Sequence, residues 1–499
     1  MTQSTSQPLS QSERDQSERE SSAVASVPTG LFAAGRWTAT ARRMPVQDPS
    51  TGEVLTEVAD ASPEEAAATL DAAAAAQQDW AATPPRERSE ILSRAYRIMV
   101  EETDRLALIM TLEMGKPLAE ARGEVAYAAE FLRWFAEEAV RIDGGYMTAP
   151  AGDSRFLVAR EPVGPCLLIT PWNFPLAMGT RKIGPALAAG CTSVIKPASH
   201  TPLSILALAE VLERAGVPDG VVNVVTTSRS NDVMTPLILD PRSRKLSFTG
   251  STEVGKSLLE LAAKTVMRTS MELGGNAPFL VFEDADLEAA VEGALAAKMR
   301  NIGQACTAAN RILVQDSVAE EFAVRLTRRM AELPLGRGVE DGVVVGPLIN
   351  AGAVDKVTAL VGDAVGRGAR LRLGGERIEG PGHFYPATVL TDVPAEAELC
   401  STEVFGPVAA ISTFETEDEA VAVANDTPYG LVSYLFTTDL ARGLRVSHAL
   451  EAGMVGLNRG VVSNPAAPFG GVKESGVGRE GGFGGIDEFL ETKYISVGL

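Results

Sequence analysis

Apolar residues recur at three- and four-residue spacing through "ASPEEAAATLDAAAAAQQDW", "ERSEILSRAYRIMVEETDRLALIMTLEMG" and "LAEARGEVAYAAEFLRWFAEEAVRI". This period predicts amphipathic helices. Ser62 stands where it can cap the first, with Pro63 at the opening helical position and Glu65 placed to complete a capping box. Gly115 and Pro117 punctuate the two patterns that follow.

The pattern changes at residue 163. Short continuous apolar runs, "VGPCLLIT", "TSVIKP", "VVNVVT" and "KLSFTG", alternate with the helical stretches "LAMGTRKIGPALAAG" and "PLSILALAEVLERAGVP", and "EVGKSLLELAAKT" follows them. Runs apolar on both faces, separated by helices and short loops, predict an α/β fold with a parallel sheet covered on both sides, with ligands bound beyond the carboxyl ends of its strands. A second α/β region begins at "NAPFLVF" and continues through "RILVQD", "ARLRLGG", "FYPATVL" and "AAISTF". The final "EFLETKYISVGL" alternates as a strand and has little of its own to pack on, so it is expected in a sheet shared with another segment or subunit.

Composition narrows the function classes. With 45 basic and 65 acidic residues the net charge is −20, which disfavours nucleic acid or an anionic membrane as partner through overall charge. No apolar run is long enough to span a bilayer. Cys166, Cys191, Cys306 and Cys400 lie far apart, as do His200, His383 and His448. That spacing suits a reducing cytoplasm and argues against both a disulfide framework and a zinc site. Residues 1–28 are rich in Ser, Gln, Glu and Arg, repeat "QSER", lack a signal-peptide core, and are expected to form a disordered tail.

Several residues carry candidate chemistry, and each has a plainer alternative. "FTGSTEVGK" ends a strand and opens a helix with two glycines, which suits a phosphate at a helix N-terminus or an ordinary turn. Lys196 in "IKPAS" follows a strand and is placed for a ribose or phosphate, or for solvent; the neutral Ser199 beside it leaves a 2′-phosphate acceptable. Asn173 in "TPWNFP" is an oxyanion donor or a turn residue. Glu272 in "MELGGNAP" is paired, exposed, or held with a raised pKa for proton transfer. Cys306 in "NIGQACTAANR" is a nucleophile flanked by small residues, or an inert buried thiol.

In their order, "PWNFP", "KPAS", "FTGST", "MELGGNAPF", "GQACTAANR", "EVFGP" and "PFGGVKESGVGRE" resemble the aldehyde dehydrogenase superfamily from about residue 30 onward. The resemblance implies an NAD(P)-dependent enzyme in which Cys306 attacks an aldehyde, Asn173 and the Cys306 N–H hold the oxyanion, and Glu272 activates the water that hydrolyses the thioester. It assigns cofactor contacts to Ile169, Thr170, Pro171, Trp172, Asn173, Lys196, Ala198, Ser199, Gly250, Ser251, Leu273, Glu403 and Phe405, with NADP expected and NAD possible. No metal is implied. "MGTRKIGPALAAGCTSVIKPAS" and "APFGGVKESGVGREGG" resemble the succinate-semialdehyde dehydrogenases, and that likeness implies that Arg181, Arg300 and Ser463 bind a distant carboxylate on a small aldehyde. A glutarate-semialdehyde enzyme and a non-catalytic protein of the same fold are the alternatives. Ala308 stands where some relatives carry a second cysteine, so no local disulfide switch is expected.

The architecture that the resemblance implies is α/β: a Rossmann-type cofactor domain from 29–146 and 161–274, an α/β catalytic domain over 275–468, and a small β oligomerisation element from 147–160 and 469–499. A homodimer or homotetramer is expected.

Overall fold

The computed structural model describes residues 11–498. Two large sheets organise the chain. The first has the strand order Gly476–Val477, Arg268–Glu272, Lys245–Thr249, Cys166–Ile169, Ser193–Lys196, Val222–Val224, Leu31–Ala33 and Arg36–Thr38. Its five central strands run parallel. Cys166–Ile169 and Ser193–Lys196 are buried at every position, because helices cover both faces of such a sheet and leave no side for water. The fully buried helix Pro175–Ala189 connects these two strands.

The second sheet runs Arg370–Leu373, Thr388–Thr391, Val408–Phe414, Ala309–Gln315, Ala277–Val281, Val432–Phe436 and Met454–Leu457. Only the Arg370–Leu373 edge is antiparallel. A third, antiparallel sheet places Ser154–Pro162 between Gly145–Thr148 and the C-terminal strand Leu490–Gly498. Tyr146, Met147, Tyr494, Ile495 and Val497 stand exposed on it.

Local chemistry explains many boundaries. The Ser62 hydroxyl accepts from Glu65 N while the Glu65 carboxylate accepts from Ser62 N, closing the capping box ahead of Pro63–Ala82. Gly115 ends Thr103–Met114 at φ +89°, the left-handed conformation that favours glycine.

Two expectations are corrected, and one helical pattern is subdivided. Residues 11–25 of the proposed disordered tail form the helix Gln11–Ala25; Ala23, Val24 and Val27 are buried in the first sheet's core cluster, and Arg337 pairs with Glu20 at 3.1 Å. Tertiary burial therefore orders a segment too polar to declare itself. Residues 1–10 lie outside the described range. The long pattern from "ERSEIL" to "LEMG" is two helices, Pro85–Glu101 and Thr103–Met114, separated at Glu102. Finally, the segment 469–499 is divided: Gly476–Val477 pairs antiparallel with Met271 and Glu272 at the edge of the first sheet, and only the last strand joins the third. The helix Ser230–Leu239 has no counterpart in the sequence reading.

Candidate active site

The carboxyl ends of Cys166–Ile169 and Lys245–Thr249 and the loop before Ala309–Gln315 converge on one cavity of about 380 Å³. Its wall includes Pro171, Trp172, Asn173, Arg181, Gly250, Ser251, Leu273, Arg300, Cys306, Glu403, Phe405 and Ser463. Residues spread over nearly 300 positions of sequence are thus brought to one surface.

Cys306 is half-buried in a turn just before the strand Ala309–Gln315. The preceding chain is unusual: Asn301, Ile302 and Gly303 have φ of 53°, 60° and 72°. Two successive non-glycine residues in the left-handed region store strain of about 1–3 kcal/mol each, and surrounding contacts must hold them. A Cβ on Gly303 would meet Gly406 O at 2.1 Å, so only glycine permits this close approach. The backbone N–H of Cys306 has no hydrogen-bond partner among the described residues. Burial pushes the Cys306 thiol up to about 12, against the lowering influence of the Arg181 cation.

Asn173 Nδ2 donates to Gln304 O at 3.0 Å, and its Oδ1 accepts from Phe174 N at 3.1 Å. An amide NH₂ carries two donors, so one N–H remains uncommitted at the cavity wall.

Glu272 ends its strand, is buried, and leaves both carboxylate oxygens without hydrogen-bond partners. It lies outside the lining of the main cavity. Burial first, and then the like charge of Glu480, raise its pKa well above the ordinary carboxylate value. Gly470, at φ +155°, passes so close that an added Cβ would lie 2.9 Å from Glu272 Oε1.

At the opposite end, Ser251 caps the helix Thr252–Ala263, its hydroxyl accepting from Val254 N. The other first-turn N–H groups and the positive helix terminus face the strand end, a fitting seat for phosphate. Lys196 is buried and its ammonium has no hydrogen-bond or ion-pair partner among the described residues; burial lowers its pKa to about 8. An isolated buried cation calls for an anionic or hydroxyl-bearing occupant. Glu403 Oε1 accepts from Gly275 N at 3.1 Å, and burial raises this carboxyl to about 7. The Trp172 and Phe405 rings meet edge to face at 5.3 Å. Ile169, Thr170, Lys196, Ala198 and Ser199 lie behind or beside the cavity rather than in its lining, with Ala198 and Ser199 half-buried beyond the Ser193–Lys196 strand.

Arg300 Nη1 donates to the Ser463 hydroxyl at 3.2 Å and its guanidinium lies 4.8 Å from the Phe174 ring centre. Arg181 stacks 4.1 Å over Phe469 and pairs through Nε with Glu480 at 2.5 Å, while its Nη2 has no partner. The sequence reading missed Tyr127, Phe174 and Phe469 as cavity walls and Glu480 as the counter-ion of Arg181 and Lys182. Glu480 lies inside the quoted "PFGGVKESGVGRE" segment; its partners were invisible because both sit on a distant helix.

Among the described residues no group of three or more His, Cys, Asp or Glu is placed to hold a metal, and no helix is long and apolar enough to cross a membrane.

Known proteins resemble this chain in sequence and in fold. The chain is 58% identical over 444 residues to a succinate-semialdehyde dehydrogenase of Paenarthrobacter nicotinovorans, covering 89% of this chain and 99% of that protein. It is 51% identical over 454 residues to a glutarate-semialdehyde dehydrogenase of Pseudomonas putida, covering 91% and 94%. A crystal structure of an Escherichia coli NADP-dependent enzyme superposes with a TM-score of 0.94 at 50% identity, covering 95% and 98%. The aldehyde dehydrogenase family model matches residues 37–495, and the chain belongs to the aldehyde dehydrogenase family.

Proposed function

We propose that the protein oxidises succinic semialdehyde to succinate with NADP, through a thioester on Cys306. The observation that carries the substrate is the pairing of Arg300 with Ser463 in the cavity that also presents Arg181 and Cys306. In a chain of net charge −20, a carboxylate-bearing substrate needs fixed cations, and a guanidinium offers a planar fork matched to it. Arg300 and Ser463 hold the far carboxylate, and the unpartnered Nη2 of Arg181 supplies a second donor. The names of the two similar semialdehyde dehydrogenases support this class of substrate.

Cys306 forms the covalent bond. Its thiolate attacks the aldehyde carbonyl, and the uncommitted N–H of Asn173 together with the free Cys306 N–H stabilises the oxyanion that appears. The nicotinamide cofactor, when bound, supplies the hydride acceptor. Gly250, Ser251 and the helix terminus would hold its pyrophosphate, Lys196 and Glu403 its two riboses, and Phe405 would contribute to the nicotinamide site. Glu272, turned toward the thioester, takes a proton from water as the water oxygen bonds to the acyl carbon; the carbon–sulfur bond then breaks, Cys306 leaves as thiolate, and the free acid departs. The neutral Ser199 and the NADP-dependent structural relative support NADP, with NAD also accepted.

Loss of catalysis is opposed by the presence together of nucleophile, base and oxyanion donors. The three-stranded sheet, with its exposed Tyr146, Met147, Tyr494, Ile495 and Val497, serves as the oligomerisation element of a cytoplasmic homodimer or homotetramer.

Steady-state kinetics with succinic semialdehyde, glutaric semialdehyde and an uncharged aldehyde tests the reading. A clear preference for the first is expected; equal kcat/KM on all three rejects the carboxylate pocket. A preference for glutaric semialdehyde selects the homologous substrate, from which one methylene separates it by only about 1–3 kcal/mol.

A further inference from the structure

Lys116 is a fully buried lysine that does not itself line the cavity but packs behind two residues that do, Asn173 and Phe174. It follows Gly115, leaves the helix Thr103–Met114, and drives its ammonium into the space beneath the Asn173 loop. There Lys116 Nζ donates to the Asn173 backbone carbonyl at 2.8 Å, pairs with Glu124 Oε2, and sits 4.1 Å from the centre of the Phe174 ring. The other Glu124 oxygen accepts from Leu176 N at 3.0 Å and Ala177 N at 3.1 Å, two free donors in the first turn of the helix Pro175–Ala189. A carboxylate there also meets the positive end of the helix dipole.

The same carbonyl ties in the cysteine loop. Asn301 Nδ2 donates to Asn173 O at 3.0 Å and to Gln304 O at 2.9 Å, while Asn173 Nδ2 donates to that same Gln304 O. Two amides and one ammonium therefore lock the Asn173 loop to the left-handed chain that carries Cys306. Burying a lysine and a glutamate costs several kcal/mol per ion unless geometry repays it. An apolar pair of similar volume would fill this space without that cost, but it would anchor neither the Asn173 carbonyl nor the first turn of the following helix.

We infer that Lys116 and Glu124 are positioning residues that set the distance between the Asn173 amide and Cys306. This rests on the reading of Asn173 as an oxyanion donor. Neither residue is in the lining of the cavity that holds Cys306, so loss of the pair should leave binding intact and weaken an interaction made only in the transition state. A misplacement of about 1 Å at such a donor lowers turnover by roughly a hundredfold.

The test uses the full chain with succinic semialdehyde and NADP. NADP binding is followed by quenching of protein fluorescence, with kcat and KM measured for Lys116→Met, Glu124→Gln, Asn173→Ala and the double variant Lys116→Met/Asn173→Ala. The expected result is normal NADP binding, an aldehyde KM within about threefold of the parent, and kcat reduced roughly ten- to a hundredfold in both Lys116→Met and Glu124→Gln. Adding Lys116→Met to Asn173→Ala should then cost less than about threefold more, because Lys116 acts through Asn173. Parental kcat in either single variant overturns the inference, as does a full second loss in the double variant. Failure of both Lys116→Met and Glu124→Gln to bind NADP assigns the pair to stability alone and overturns it too. Parental turnover in Asn173→Ala sinks the oxyanion reading itself, an outcome told apart by which variant stays active.

Discussion

Arg300 Nη1 lies 3.2 Å from the Ser463 hydroxyl, joining the end of the helix Leu287–Met299 to a loop more than 150 residues later. This contact orients the guanidinium toward the cavity that holds Cys306. Replacing Arg300 with Ala should raise KM for succinic semialdehyde by roughly ten- to a hundredfold, the value of a charge-assisted hydrogen-bonded pair. Ser463→Ala should have a smaller effect in the same direction. With an uncharged aldehyde both variants should retain parental KM, and an equal loss there would show that the residues maintain the cavity rather than read the carboxylate.

The site should gain activity with rising pH. Burial holds the Cys306 thiol up to about 12 and the Glu272 carboxyl well above its ordinary range. Each must lose a proton to act, so alkylation of Cys306 by iodoacetamide and the rate of thioester hydrolysis should both increase from neutral into alkaline solution. Arg181 lowers the Cys306 pKa. Arg181→Gln should therefore slow alkylation at a fixed pH; an unchanged alkylation profile would disprove that electrostatic link. Cys306→Ala should abolish turnover while NADP binding persists.

Cofactor choice is testable at Ser199. A carboxylate introduced as Ser199→Glu repels a 2′-phosphate and accepts from a 2′-hydroxyl. kcat/KM for NADP should fall at least about tenfold relative to NAD, which corresponds to about 1.4 kcal/mol of charge repulsion. No change in the ratio would place the adenosine 2′ position elsewhere.

Stability should respond to Asp284, whose carboxylate accepts from Thr437 Oγ1, Thr438 N and Asp439 N and pairs with Arg442. Despite partial burial, the hydrogen bonds from Thr437, Asp439 and Thr438 hold its pKa down to about 2. The folded pKa lies below the unfolded one, so its contribution is present above about pH 4 and is lost as pH falls toward 2. Allowing for solvent screening at this partly exposed site, the contribution is on the order of 1 kcal/mol. Thermal unfolding of Asp284→Asn at pH 7 should show a reduced Tm, and the difference from the parent should shrink on acidification.

The amino-acid order by itself determined the alternating elements, the capping box at Ser62 and Glu65, and the chemical types at Cys306, Asn173 and Glu272, because these depend on period, local hydrogen bonds or contiguous motifs. It could not reveal that Gln11–Ala25 is a helix: its polarity provides little local signal, and the burial of Ala23 and Val24 depends on a surface made elsewhere. The partners of buried charges were equally hidden. Glu480 meets Arg181 and Lys182, and Lys116 meets Asn173, only after two sheets and their helices have packed. Spacing along the chain encodes which groups are available; the tertiary fold decides which of them share a low-dielectric space, and there Coulomb and desolvation terms are large enough to set orientation and protonation.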